Sequence, residues 1–285
     1  MSYFSLPSVA TNYLIHDSLS LEQRSLININ AAINITLSSY INQSKTLIDS
    51  RQLAWNISKK YTNTYEYIHT QVPGSKYSVG KLKPLSRSFY KMIEICKTLR
   101  LVESLPENEC TTFHFAEGPG GFIEAISYIR ENPNDKYYGM SLLTDRLSNI
   151  PGWNKSHEFL DENKNVSIWS GTSGDGDMLK ADNLLACYNF AMDFKHQEVV
   201  SIKLSFAQCA YAFSCQKKGG SFVLKLFDTY TQASTDILYI LSSVYEKVYF
   251  LKPHTSRQAN SEKYIVCKNF KLENTLELVR AMYRV

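Results

Sequence analysis

The stretch that most constrains the fold is residues 113–126, FHFAEGPGGFIEAI, in which a strand-like run stops at GPGG and a helix-like run begins. Strand-like runs recur at KYYGMSLL, NVSIWSG and SFVLKLF, and helix-like runs such as EVVSIKLSFAQCAYAFSCQK alternate with them. This alternation predicts an α/β fold with a mostly parallel sheet and helices on both faces. The last two strand-like runs, EKVYFLKP and EKYIVCKNF, lack a long helix between them, so we expect an antiparallel edge strand.

The chain is predicted to have three parts. Residues 1–75 are rich in Ser, Asn, Thr and Tyr with helical spacing, which predicts a helical N-terminal extension. This extension is either a layer packed on the core or an interaction surface for RNA or another subunit. Gly and Pro punctuation near residue 75 predicts a boundary loop, so the α/β domain is expected over residues 76–272. Residues 273–285 form a C-terminal helix-like run that ends without a capping signal, and we expect it to continue in a longer chain.

Composition sets broad limits on the function. The 285 residues are 44% apolar and 20% charged, which is typical of a globular protein, and the net charge of +4 permits a nucleic-acid partner without requiring one. Six scattered cysteines show no C-x2-C spacing, which argues against a zinc ribbon or finger and predicts buried thiols in a reducing, intracellular compartment. No secretion signal or long apolar run is recognisable, so we expect a cytoplasmic protein without a membrane span.

The glycine loop at residues 118–121 suggests a ligand site. Open α/β sheets bind ligands at the carboxyl ends of their strands, and glycine lets the backbone approach a ligand closely. GPGG matches neither a P-loop nor a dinucleotide fingerprint. Glu117 just before it would repel a phosphate and suit a cation, such as the ammonium and sulfonium groups of S-adenosylmethionine. The alternative is a tight turn without a ligand.

Two further polar positions lie in or after strand-like runs. In GDGDM at residues 174–178, Asp175 or Asp177 is a candidate acceptor for an adenine amino group, and the alternative is a solvated acidic turn. Lys225 lies within SFVLKLF, a run that we expect to be buried. A buried lysine is normally paired or functional, whereas a lysine near a strand end can reach solvent.

Polar residues also cluster near the closing strand. HTSRQANSEKYIV contains Arg257, Asn260, Ser261 and Glu262, which form either a hydrogen-bonded turn or a cluster directed at a site. Lys91 lies in SRSFYKMIEI on an amphipathic helix, where lysine is usually solvated.

Together these motifs resemble the FtsJ-type RNA 2′-O-methyltransferases, most closely the branch that methylates the mRNA cap ribose. The opening motif is SRSFYKM, the cofactor loop is EGPGGF, the acidic motif is GDGDM, the second-lysine strand is VLKLFD, and the closing signature is SRQANSEKYIVCK. All five occur in the family's order between about residues 86 and 270, which is far more specific than any one motif.

The resemblance implies a Rossmann-like methyltransferase domain, S-adenosylmethionine as cofactor and capped RNA as substrate, with no metal. It also implies that the chain is a viral member of this branch, of the African swine fever type found among large DNA viruses. The implied catalytic residues are Lys91, Lys225 and Glu262. The implied cofactor-binding residues are Glu117, Gly118, Pro119, Gly120, Gly121, Phe122, Asp175 and Asp177. The implied RNA-binding residues are Arg87, Lys252, Arg257, Asn260 and Ser261.

The sequence departs from the family at one catalytic position. The family carries a K-D-K-E tetrad whose Asp follows the fourth strand, but no such motif stands before Gln197. Three interpretations are open: a segment missing from this sequence, a degenerate site, or Asp193 in the role. A degenerate site would make the chain an RNA-binding or subunit-docking protein. A ribosomal or transfer RNA ribose methyltransferase is a further alternative.

Overall fold

The computed structural model describes residues 2–9, 33–143, 152–171, 173–178 and 197–283. Within these ranges, strands and helices alternate along most of the chain, as predicted. The strands are β1 (Ser2–Ser5), β2 (Thr111–Phe115), β3 (Lys136–Met140), β4 (Val166–Ile168), β5 (Phe222–Leu226), β6 (Tyr245–Lys252) and β7 (Lys263–Phe270). The helices are α1 (Ile35–Asp49), α2 (Gln52–Tyr61), α3 (Ser88–Leu99), α4 (Gly121–Arg130), α5 (His157–Glu162), α6 (Gln197–Cys215), α7 (Gln232–Val244) and α8 (Leu276–Tyr283).

The chain divides into two compact units. The first unit comprises Met1–Asn63, Tyr188–Pro253 and Gln258–Val285, and the second comprises Thr64–Cys187 and His254–Arg257. This division differs from the predicted one at residue 75. Residues of the N-terminal extension belong to the first unit because β1 pairs with β6, and Lys45 on α1 bonds to Asp228 after β5.

The first unit contains an antiparallel sheet in the order β1-β6-β7-β5. β5 and β6 run in the same direction with α7 between them, and β7 runs opposite to both. The predicted antiparallel strand therefore lies inside this sheet rather than at its edge, because the short connection after β6 returns the chain between β6 and β5. Side chains from α6 and α7 pack on the sheet around fully buried Phe213, Leu224, Leu241 and Ile265.

The second unit contains a parallel sheet in the order β2-β3-β4. Phe115 at the end of β2 pairs with Met140 at the end of β3, so the carboxyl ends of these strands lie side by side. α3 and α4 pack against each other, and Ile95 and Ile123 from these helices are fully buried. The predicted parallel sheet with the glycine loop at the end of its first strand is confirmed, and this arrangement places the loop at the ligand-binding edge of an α/β sheet.

Candidate active site

The glycine loop connects β2 to α4 by a sharp reversal of the backbone. Ala116 has φ of 52°, the Gly118–Pro119 peptide is cis, and Gly120, the residue before α4, has φ of 105°. A backbone at φ of 105° strongly disfavours any side chain, so glycine is required at position 120. Gly121 begins the helix, and a Cβ there would lie 2.3 Å from the hydroxyl oxygens of Ser86 and Ser88. The opening motif around Lys91 thus packs directly on the start of α4.

Glu117 occupies the amino-terminal end of α4. Its Oε1 accepts the backbone N–H groups of Phe122 at 2.6 Å and Ile123 at 3.2 Å. Burial raises the pKa of Glu117 to about 8, although these two hydrogen bonds oppose the rise. A carboxylate on these amides competes with any phosphate for the positive end of the helix. The loop therefore disfavours a nucleotide phosphate and suits a cationic or neutral ligand, as the sequence predicts.

The acidic GDGD loop follows β4 at the same edge of the parallel sheet. The Asp175 carboxylate accepts the Asp177 backbone N–H at 3.1 Å and also the Ser173 hydroxyl. The Asp175 carbonyl oxygen accepts the N–H of Leu143, which follows β3, at 2.7 Å. The structure therefore brings Asp175 and Asp177 to the edge that carries Glu117. Their roles toward an adenine stay a prediction, because Asp175 already stabilises its own turn.

Lys225 and Glu262 form an ion pair in the first unit. The Lys225 Nζ lies 3.5 Å from Glu262 Oε1 and 5.0 Å from the centre of the Phe227 ring. Glu262 is 3% exposed, and it also accepts the Tyr264 hydroxyl at 2.5 Å and the Asn260 amide at 3.2 Å. Lys225 itself is 49% exposed, so the expectation that it is buried is corrected. Tyr264, the residue opposite Lys225 in the ladder, is buried.

Lys252, Asn260 and Ser261 form or contact the turn that ends at Glu262. The Lys252 ammonium donates to the Asn260 carbonyl at 2.7 Å, to the Asn260 Oδ1 at 2.8 Å and to the Glu262 carbonyl at 2.9 Å. The Ser261 carbonyl accepts from Lys263 at 3.3 Å. The interpretation of ANSE as a hydrogen-bonded turn fits this geometry, and the turn presents the Glu262 side chain to Lys225. Contacts of these residues with RNA stay a prediction.

Arg87 and Arg257 meet in the second unit on a buried carboxylate that the sequence analysis missed. Glu66 is 0% exposed. It accepts Arg87 at 2.6 Å and Arg257 at 2.7 and 2.9 Å. Arg87 also donates to the Thr255 carbonyl. Both guanidinium groups, predicted to contact phosphates, thus hold chain segments together here, and phosphate contact stays a prediction.

Lys91 lies on α3 in the second unit and is partly buried. Glu94, one turn further along α3, accepts the backbone N–H groups of His254 at 2.7 Å and Thr255 at 3.0 Å. The sequence carried no signal for Glu94 or Glu66. Glu94 bonds to residues 160 and 161 positions away, and Arg257 lies 191 residues from Glu66. The grouping of Lys91 with Lys225 and Glu262 stays a prediction, and Asp193 lies outside the described residues.

A polar groove lies at the opposite, amino-terminal edge of the parallel sheet. Its cavity volume is about 690 Å³, and Lys136, Tyr138 and Asn165 are among its lining residues. Since α/β sheets bind ligands at the carboxyl edge, we assign no role in the chemistry to this groove.

In the parts of the chain that the structure describes, no three His, Cys, Asp or Glu side chains cluster as a metal site would require. No helix in those parts has the length and apolar composition needed to cross a membrane.

The fold and the glycine loop define an α/β protein with a ligand site at the carboxyl edge of a parallel sheet. The family model for FtsJ-like methyltransferases matches residues 84–270, which is more than half of the chain. The chain therefore belongs to the FtsJ-like methyltransferase family.

Relatives with curated names are similar over the same region. The cap-specific mRNA (nucleoside-2′-O-)-methyltransferase 1 of Mus musculus is 32% identical over 192 residues, which cover 59% of this chain and 23% of that protein. The Homo sapiens protein of the same name is 31% identical over 190 residues, 58% of this chain and 22% of its own length. This chain thus spans less than a quarter of the relatives' length.

A solved structure of a ribosomal RNA methyltransferase from Plasmodium falciparum is 16% identical. It covers 65% of this chain and 97% of its own, with a TM-score of 0.39.

Proposed function

We propose that this protein transfers a methyl group from S-adenosylmethionine to the ribose 2′-hydroxyl of capped RNA, at the first transcribed nucleotide. The Lys225–Glu262 pair carries the proposal, because a solvent-accessible lysine is held at 3.5 Å by a buried, hydrogen-bonded carboxylate in an FtsJ-like methyltransferase. The names of the relatives support capped mRNA as the substrate.

The residues of the glycine loop fit the cofactor. Glu117 takes the helix amides that a phosphate would need, and a cation such as S-adenosylmethionine bound beside it would favour the ionised carboxylate. When bound, the cofactor supplies a methyl group on a sulfonium, which is a good leaving group. Glu117, Gly118, Pro119, Gly120, Gly121 and Phe122 would hold it, together with Asp175 and Asp177.

The chain's own contribution is to position the ribose and to remove its proton. The bound cofactor would supply the methyl carbon to which the 2′-oxygen would form its new bond, and the electron pair of the broken carbon–sulfur bond would stay on sulfur. Lys225, in its neutral amine form, would accept the 2′-hydroxyl proton as a general base. Glu262 orients Lys225, and Lys252 holds the Asn260–Glu262 turn that presents the carboxylate. Correct placement of the two reactants lowers the barrier further. Lys91 is the third catalytic residue in this proposal.

The test is methyl transfer by the purified full chain to RNA with an N7-methylguanosine cap, with the product mapped by nuclease digestion and mass spectrometry. Loss of general-base catalysis in Lys225→Ala should lower the rate by at least about 10²-fold. Lys247→Ala, an exposed lysine on β6 of the same sheet, is the matched control and should retain the activity.

Absence of transfer in the wild type, with cofactor and RNA still bound, would refute the proposal. It would favour the alternative of an RNA-binding or docking protein with a degenerate site. Transfer to uncapped ribosomal or transfer RNA instead would favour the structural-RNA alternative.

Three further expectations accompany this proposal. We infer a cytoplasmic location and a viral source from the resemblance, and a protein partner or self-association through residues 1–75. Support for the last comes from α1 and α2, which have no buried residue in the structure, while Leu53 and Tyr61 are 78% and 71% exposed. Light scattering of the full chain and of Leu53→Ser would test self-association, and a monomer in both would refute it.

Imaging of the tagged chain in infected cells would test location, and a nuclear signal would refute it.

A further inference from the structure

A five-residue segment, residues 152–156, packs along the glycine loop. A Cβ on Gly118 would lie 2.7 Å from the Gly152 carbonyl oxygen, and one on Gly120 would lie 3.3 Å from the Trp153 ring. Between these two contacts, the Ser156 hydroxyl donates to the Pro119 carbonyl. Three consecutive loop residues therefore each contact this segment, which we call the brace.

The Trp153 ring is seated in a slot made by Gly139 on the middle strand β3. A Cβ on Gly139 would lie 2.5 Å from Trp153 Cη2 and 2.9 Å from the Ile123 side chain of α4. Trp153 is 8% exposed, and its buried indole nitrogen has no hydrogen-bond partner among the residues that the structure describes. Shape, not a polar contact of the indole nitrogen, thus positions this ring between β3 and the loop.

The contacts connect the brace to the chemistry of Glu117. The loop geometry at Gly118 to Gly120 determines whether Glu117 can reach the N–H groups of Phe122 and Ile123. Phe122 and Ile123 are the second and third residues of α4, within its first turn, so a displaced loop would separate the carboxylate from their amides.

We propose that the brace is the positioning element of the cofactor loop and that Trp153 is its central positioning residue. This rests on the proposed function, in which the loop binds S-adenosylmethionine. Trp153 does not need to touch the cofactor: it holds Gly120 and, through the slot at Gly139, ties the loop to β3. Neither Trp153 nor Gly139 was among the residues that the motifs indicate.

The test is a pair of size changes at the slot. Gly139→Ala adds a methyl group where Trp153 Cη2 stands, and this overpacking should weaken S-adenosylmethionine binding about tenfold. Trp153→Phe removes the outer part of the ring without costing a hydrogen bond, so it should weaken binding about twofold. The double variant Gly139→Ala/Trp153→Phe should recover to about the affinity of Trp153→Phe, since the smaller ring leaves room for the methyl group.

Two readouts separate this proposal from the proposed function. Calorimetry measures cofactor affinity, and hydrogen exchange of the Phe122 and Ile123 amides measures the loop without any cofactor. Exchange of these amides should be about tenfold faster in Gly139→Ala and return in the double variant. In steady-state kinetics, the KM for the cofactor should rise while the KM for RNA stays constant.

Trp55→Phe is the matched control. Trp55 lies on α2 in the other unit, so this change should leave cofactor affinity and exchange at these amides unaltered. Equal losses in Gly139→Ala and in the double variant would overturn the brace. Wild-type protein that binds no cofactor would overturn the proposed function, and the exchange data would still decide on the brace.

Discussion

At the scale of the residue, Glu117 has the environment most suited to a pH-dependent role. Burial raises its pKa to about 8 from the usual 4.5, against the opposing effect of two backbone N–H bonds. Between these two pH values the folded protein keeps a proton that the unfolded chain has lost. The contribution of Glu117 to the free energy of unfolding therefore falls as the pH rises from about 5 to 8.

We expect Glu117→Gln to remove this pH dependence. From pH 5 to pH 8, the melting temperature of the wild type should fall relative to that of Glu117→Gln, because glutamine has no proton to lose. Thermal unfolding in matched buffers measures it, with Glu103→Gln as an exposed control in the same unit. A constant difference across this range would contradict a raised pKa at Glu117.

The ammonium group of Lys252 has two candidate roles: holding the Asn260–Glu262 turn, or contacting an RNA phosphate. Its three hydrogen bonds to the Asn260–Glu262 turn indicate that it holds the Glu262 side chain in place. We expect Lys252→Met to lower kcat about tenfold with little change in the KM for RNA. A phosphate contact would instead reduce the slope of log affinity against log salt by about 0.9. RNA binding at several salt concentrations distinguishes the two results.

At the scale of the element, α1 is connected to the end of the strand that carries Lys225. The Lys45 ammonium donates to Asp228 at 2.6 Å, and the Ile33 backbone N–H donates to the Tyr230 carbonyl at 3.1 Å. The side chains of Lys45 and Asp228 are 25% and 12% exposed. Helix α1 lies outside residues 84–270, the region that the family model matches. The contact with Asp228 therefore packs an additional helix against that region.

A double-mutant cycle on Lys45→Ala and Asp228→Asn should give a coupling energy of about 1 kcal/mol in urea unfolding, because the pair is partly buried and charged. The exposed pair of Lys218 and Glu273, at 2.7 Å and 59% and 77% exposed, is the control and should show almost no coupling. Equal coupling in both pairs would show that α1 is not docked through Asp228.

At the scale of the whole molecule, contacts distant in sequence connect chain segments within one unit. Arg257 is 191 residues from Glu66 in the chain, yet its guanidinium group donates two bonds to that buried carboxylate. Arg87 completes the group from a third segment.

Removing the carboxylate would leave two guanidinium groups uncompensated. We expect Glu66→Gln to lower the free energy of unfolding by about 3 kcal/mol. Denaturant unfolding measures it, and Glu109→Gln is the control, since Glu109 pairs with Lys136 at 53% and 56% exposure. A loss no larger than that of the control would refute a structural role for this group.

Much of the local structure can be predicted from the sequence. The turn at GPGG, the helices α3, α4 and α6, and the parallel strands follow from short-range rules of glycine, proline and hydrophobic spacing. The order of the five motifs was sufficient to predict the family. Local pattern also predicted that a phosphate would not suit Glu117.

Only the tertiary structure decided which distant segments meet. It placed β7 between β5 and β6, left Lys225 half exposed, and positioned Trp153 against Gly139. The physical reason is that backbone rules act over a few residues, whereas register, burial and charge pairing depend on which remote surfaces exclude water together. By itself, the sequence determined the glycine loop and the helix that follows it, and the tertiary structure determined which residues pack against that loop.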